Sequence, residues 1–403
     1  MLSSLLGRFR QFRRQRRQGR QRAALDQCDA AALANQASPD ARRVLVVRND
    51  SIGDYLLYRP WLCQLSAVLH QRGQRLTLAA NALWAPLARG WDADLFDELI
   101  EVNFGRFATD LEYRTSILQI IGSNGFAEVI YPVHVRQPAV ENFIRFLQAP
   151  VRVGSQGSHP TGAWAETLDA GYTQLLPTTR AVLFEYYRNQ EFFENWLAIQ
   201  PGRPVAPETP ALPWQLPTSV QAAATAEASA GPYLLLFPGA SARQKQWPVR
   251  HFTQLAQALH ARYGSHYRLL LAGSAADDAL AQRIVRAAGP GVPLINRCGQ
   301  TDLPGLAALV AGAGLLISND TAAAHLAAQA GTPCLVLLMG ENYGKFFPYS
   351  SQLLQAPCRC LFPPSQEARF AQGDFPPPAR DPDLSLITPG RVLAAINELL
   401  AAE

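Results

Sequence analysis

The sequence predicts an α/β protein of two domains, each a parallel sheet covered by helices on both faces. Short apolar runs alternate with longer segments of helical period, the mark of strand–helix–strand units. The alternation breaks once, at 200–232, where seven prolines fall; Pro-dense stretches read as linkers. It then restarts. The length of 403 residues agrees, at roughly 100–200 residues per domain.

In the first half, VLVVR (44–48) is rich in β-branched residues and reads as a strand. Residues 55–71 read as a helix. LTLAA (76–80), ELIEV (98–102) and EVIYPV (128–133) read as further strands, with helical patterns at 107–121, 138–148 and 180–199. In the second half, YLLLF (233–237), RLLLA (268–272), LLIS (315–318) and CLVLL (334–338) are continuous apolar runs, as expected of strands buried on both faces. Helical patterns occupy 248–263, 276–288, 303–313 and 321–330. Residues 357–383 are Pro-rich and irregular, and 388–402 close the chain with an amphipathic helix. The expected division is a basic extension at 1–42, a first Rossmann-like domain at 43–199, the linker at 200–232 and a second Rossmann-like domain at 233–403.

Composition narrows the function. With 48% hydrophobic and 17% charged residues, the chain is globular rather than disordered. No apolar run reaches the roughly 18–20 residues of a membrane span. The six cysteines (28, 63, 298, 334, 358, 360) are too scattered for a disulfide framework and read as reduced thiols of a cytoplasmic protein.

The net charge of +4 is concentrated in a tail: residues 1–22 carry eight arginines and no acid, leaving 28 basic and 32 acidic groups in the body, or −4. Leu2, Leu5, Leu6, Phe9 and Phe12 recur among those arginines at helical spacing. That pattern predicts an interfacial helix on an anionic membrane, at the inner face of the cytoplasmic membrane. A solvated tail and a phosphate-binding arm are the alternatives; no nucleic-acid partner is expected, and no cleavage site marks a secretory signal. Lysine occurs only at 245 and 345, against 34 arginines, so a lysine in a loop is informative.

Four segments follow strands and can carry chemistry. In Asn49-Asp50-Ser51-Ile52-Gly53-Asp54, Gly53 permits a tight strand-to-helix turn and Asp54 opens the helix. The bland alternative is an acid that complements the helix dipole. In Phe237-Pro238-Gly239-Ala240-Ser241, followed by Lys245, Gly239 lets the backbone approach a ligand. Ser241 offers a hydroxyl there, and Lys245 a compact charge for phosphate. In Ser318-Asn319-Asp320-Thr321-Ala322-Ala323-Ala324-His325, Asp320 or Thr321 caps a helix whose small first residues leave its amides open to an anion. His325 is either a ligand contact or a satisfied buried histidine. Leu338-Met339-Gly340-Glu341-Asn342 follows the next strand and could wall a base pocket. There is no G-x-x-x-x-G-K-[ST] or G-x-G-x-x-G motif and no zinc spacing. The D-x-D matches at 92–94 and 381–383 follow no clear strand end, so no metal is expected.

Residues 44–65, 234–259 and 299–340 together resemble the ADP-heptose:lipopolysaccharide heptosyltransferases of glycosyltransferase family nine. The resemblance implies a GT-B fold, two Rossmann-like domains facing a central cleft. It also implies an inverting, metal-independent transfer, with no cofactor, of a sugar such as heptose from an ADP-heptose-like donor to a lipopolysaccharide-type or other saccharide acceptor. By this resemblance Asp54 is the catalytic base. Ser241 and Lys245 hold the donor phosphates, with Lys245 also stabilising the leaving group, and Asp320 and Thr321 form the donor-binding pair. Gly239, Ala322, His325 and Gly340 complete the expected donor site. Two departures stand out: Ala322 occupies a position where the family commonly has Gly, and the loop 273–278 lacks an acid in the usual place near the donor ribose. Arg136 and the loop 153–172 are acceptor-side candidates. A nucleotide-sugar epimerase or hydrolase, or a non-catalytic sugar-nucleotide-binding protein, are the alternatives on the same fold.

Overall fold

A strand covered on both faces needs no polar side, and the apolar runs of this sequence form two parallel sheets accordingly. The computed structural model describes residues 18–158, 163–200, 216–372 and 383–401. The chain divides into two compact units: Met1–Ser51 with Trp61–Thr179 and Arg188–Pro207, and Ile52–Pro60 with Arg180–Tyr187 and Glu208–Glu403. The nine residues Ile52–Pro60, which open the first long helix, thus belong to the second unit.

The first unit holds β1 (Asp40–Arg48), β2 (Arg75–Asn81), β3 (Glu98–Val102), β4 (Phe126–Tyr131), β5 (Val151–Ser155) and β6 (Gln174–Leu176). They pair in the order β3-β2-β1-β4-β5-β6, all parallel. Leu45, Val47, Val129 and Tyr131 pack with Ile117, Leu118 and Ile121 of the helix Leu111–Gly122. The sequence reading starts the body at residue 43, but the structure builds in more. Residues 18–32 form a helix, and its Asp29 is fully buried against Arg114, whose Nη2 donates to Asp29 Oδ2 at 2.7 Å. Removing either partner would strand a buried charge, so this helix is part of the unit. Residues 1–17, with most of the expected membrane-contact tail, lie outside the described residues.

The second unit holds β7 (Tyr233–Phe237), β8 (Arg268–Leu271), β9 (Leu294–Asn296), β10 (Leu315–Asn319), β11 (Cys334–Leu337) and β12 (Cys358–Leu361), in the order β12-β11-β10-β7-β8-β9. Both sheets therefore have the doubly wound 3-2-1-4-5-6 order, in which strand order reverses beside the first strand of each sheet. In the second unit that switch point lies between β7 and β10, and ligands of open α/β sheets bind beyond the carboxyl ends there. The closing helix Pro389–Ala401 packs into the core of this unit through Val392, Ala395, Ile396 and Leu399.

Several elements differ from expectation. The short strands β5, β6, β9 and β12 were not anticipated. The stretch expected as linker contains the helix Thr218–Ala228. The pattern at 107–121 divides at Asp110, whose side chain accepts from Tyr113 N and caps Leu111–Gly122. The pattern at 138–148 yields only Pro138–Glu141 and a 3₁₀ turn.

Candidate functional site

The site is built in the second unit, where the loops after β7, β10 and β11 converge with the turn Ile52–Asp54. Asn319, the last residue of β10, ties two of these loops. Its Nδ2 donates to the carbonyls of Pro238 (2.8 Å) and Gly239 (3.1 Å), and its Oδ1 accepts from Trp247 N at 3.1 Å. Trp247 is buried and sends its indole N–H to Ile387 O at 2.8 Å. The segment 238–247 is thus fixed at both ends, with Lys245 between them.

Lys245 Nζ donates to Asp320 Oδ2 at 2.9 Å, and both side chains are about four-fifths buried. Asn342 Nδ2 reaches the same oxygen at 3.4 Å. Around this pair opens a cleft lined by Lys245, Asp320, Gly340, Glu341, Asn342 and Tyr343 among others. Gly340 has φ +95°, and a Cβ there would come within 3.0 Å of the Phe370 ring. Glycine is therefore required at this turn for conformation and for space.

Beyond Asp320 the backbone enters the helix Ala322–Ala330. Thr321 is its N-cap, extended at φ −143°, and its Oγ1 accepts from Ala323 N at 3.3 Å. Ser318 Oγ lies 2.9 Å from the same hydroxyl. Ala322 is the first residue of the helix and is half-buried.

His325 sits one turn further, 4% exposed. Its Nδ1 is 2.6 Å from the Tyr349 hydroxyl and its ring stacks on Phe347. Burial holds the imidazole below its ordinary value, with the nearby carboxylates of Asp320 and Asp54 pulling the other way. The opposite edge of the ring faces Gly53: a Cβ on Gly53 would stand 2.7 Å from His325 Cδ2. The turn that carries the half-buried Asp54 therefore rests directly on the helix that follows Asp320.

Lys245, Asp320 and Gly340 line one cleft, and His325 meets the Gly53–Asp54 turn one helical turn beyond Asp320. Ser241 is exposed and is not part of the cleft lining. Gly239 is buried, and a Cβ there would meet Asp277 Oδ1 at 2.4 Å. Both acids of the loop 273–278 are engaged locally. Asp277 Oδ2 accepts from Ser274 N and Oγ, and Asp278 accepts from Asn296 and Gln282. In the first unit, Arg136 is buried with its guanidinium on Glu141 (2.9 Å) and Asp169 (2.6 Å), so its charge is already matched. Asp92 caps the end of the helix Ala85–Trp91, and position 381 lies outside the described residues. Sequence reasoning passed over Asn319 and Tyr349. Asn319 stood inside a quoted segment and could have been found as the one amide at the strand end; Tyr349 gave no local signal.

Comparison with known proteins follows this geometry. Residues 174–358 match the sequence model of Glycosyltransferase family 9 (heptosyltransferase), a span that contains the loops after β7, β10 and β11. Over those 185 residues the chain resembles glycosyltransferase family 9. It is 29% identical over 175 residues to lipopolysaccharide heptosyltransferase 3 of Escherichia coli, covering 42% of the chain and 47% of that protein. It is 28% identical over 179 residues to lipooligosaccharide heptosyltransferase 2 of Haemophilus influenzae, covering 42% and 48%. The chain thus matches about half the length of these curated relatives. In three dimensions it is similar to a family 9 glycosyltransferase from Veillonella parvula, with a TM-score of 0.67, 19% identity, and 92% of this chain and all of that one covered. It is also similar to E. coli heptosyltransferase WaaC solved with ADP-2-deoxy-2-fluoro heptose, with a TM-score of 0.63, 20% identity and coverage of 88% and 99%. At these identities the structural likeness speaks for the fold, which is GT-B.

Proposed function

We propose that this chain is a family 9 glycosyltransferase that moves a sugar, heptose in the first instance, from a nucleotide-diphosphate donor to a lipopolysaccharide-type or other saccharide acceptor, with inversion and without a metal. The observation that carries this reading is the contact of the Gly53–Asp54 turn with His325, one helical turn beyond the Lys245–Asp320 pair. It supports a carboxylate at position 54 within electrostatic reach of the helix that follows Asp320. An ADP-linked donor is the first candidate, because the related WaaC was solved with an ADP-heptose analogue.

Asp54 accepts the proton of the acceptor hydroxyl as that oxygen attacks the anomeric carbon, and a positioned base contributes roughly 10²–10⁴-fold. The bond to the nucleoside diphosphate breaks on the opposite face. Lys245 and the first amides of the helix Ala322–Ala330 meet the charge that grows on the leaving phosphate. A single displacement inverts the anomeric centre. Neutral His325 contributes position rather than charge, as the floor under the Asp54 turn. The reaction belongs at the inner face of the cytoplasmic membrane, where the arginine-rich tail holds the chain near a lipid-linked acceptor.

Asp54→Asn tests the assignment. The amide keeps the size and loses proton acceptance, so transfer falls by about 10²-fold or more while donor affinity stays near the parent value. If Asp54 served only the helix dipole, turnover would hardly change and stability would drop by at most about 1 kcal/mol. Near-parent turnover in the folded variant removes Asp54 as the base.

A further inference from the structure

The cleft contains one acid that the reaction above does not use. Lys245 and Asp320 neutralise each other at 2.9 Å, and Asn342 adds a donor to the same Asp320 oxygen. Glu341, next along the wall, has no such match: its Oε1 is buried and, among the described residues, has no hydrogen-bond partner. The pocket's ionisable lining therefore sums to one excess negative charge, from Lys245 against Asp320 and Glu341. A buried carboxylate oxygen without a donor is costly. It also repels a second anion brought alongside it.

We propose that Glu341 is a specificity residue of this cleft: it accepts a hydrogen bond from a donor-substrate hydroxyl and disfavours donors that present a carboxylate or phosphate there. The inference rests on the nucleotide-sugar reading given above. Its physical basis is that a site built to bond a hydroxyl rejects the analogue lacking it, because its own buried group is then left unmatched. Gly340 matters to this arrangement. Its positive φ turns the backbone immediately before Glu341, a conformation that other residues rarely adopt. Two parts of a nucleotide sugar carry such hydroxyls, the ribose and the transferred sugar.

Calorimetric affinities of the parent, Glu341→Ala and Glu341→Gln for ADP, 2′,3′-dideoxy-ADP and ADP-glucose separate the cases. If the ribose is bonded, the alanine variant loses about tenfold or more for ADP and ADP-glucose and nothing for the dideoxy ligand. If the sugar is bonded, the loss appears for ADP-glucose alone. Either pattern supports the assignment, with glutamine showing a smaller loss of the same pattern. Unchanged affinities, or an equal loss for all three ligands, overturn it and leave Glu341 a structural side chain. A parent chain that binds none of the three ligands overturns the ADP-linked donor, and the role of Glu341 toward it.

Discussion

Lys245 is one of only two lysines in the chain, and the contrast with the other is instructive. Lys345 is exposed and contributes its backbone carbonyl to Glu185 N at 2.7 Å. Lys245 is mostly buried and holds Asp320. An ammonium already paired in this way can turn toward phosphate while Asn342 remains on the carboxylate. Lys245→Ala should weaken nucleoside-diphosphate binding by about tenfold or more, the scale of a charge-assisted bond. Lys245→Arg should restore it only in part, since a planar fork does not replace a point charge in a confined loop. Isothermal titration with ADP reads both variants, and full affinity in the alanine variant takes Lys245 out of the site.

At the scale of elements, the start of the first long helix and the helix Ala322–Ala330 fit together because one side contributes no side chain. Gly53→Ala would bring a methyl to 2.7 Å from the His325 ring, inside any permitted contact. The ring is held by Tyr349 and Phe347 and has little room to yield. Overpacking of this kind costs roughly 1–3 kcal/mol, read as a lower melting temperature, and should slow transfer more than it weakens ADP binding. Combining it with His325→Ala should cost less than the sum of the two single changes; strict additivity would show that the contact is not what limits the turn.

The same elements mark what the sequence made legible. The central strands β1, β4, β7, β10 and β11 each carry an apolar run of three to five residues and could be read directly. The edge strands β6, β9 and β12 could not, because they are three or four residues long and carry polar or mixed side chains such as Gln174, Asn296 and Arg359. The site residues next to strand ends, Asp54, Lys245 and Asp320, were visible from their position in a strand–loop–helix unit. The pairing of Lys245 with Asp320, the contact of Gly53 with His325 and the support from Tyr349 join residues 24–272 positions apart, and no local pattern encodes them.

For the whole molecule, charge is distributed by position along the chain. Six of the eight tail arginines precede residue 18, whereas the helix at 18–32 is anchored by Asp29 on Arg114 and by Arg22 on Thr167. Deleting residues 1–17 should therefore leave the melting temperature unchanged while abolishing sedimentation with anionic phosphatidylglycerol vesicles. A longer deletion through residue 32 would confound the two effects by uncovering buried Arg114. Equal vesicle binding with and without 1–17 would end the case for a membrane-seeking tail.

The indole bond from Trp247 to Ile387 also has a consequence in time. These two residues are 140 positions apart, and a ribosome adding about 5–20 residues per second needs roughly 7–28 s to cover that interval. Throughout it, the loop bearing Lys245 exists without the carbonyl that fixes its far end, and buried Trp247 has no polar partner for its N–H. The nascent second unit can collapse around its sheet, but the far end of the Lys245 loop is fixed only once residue 387 has been made. A message cut short before codon 387 would therefore yield a chain with all its strands made and the Lys245 loop unanchored at its far end.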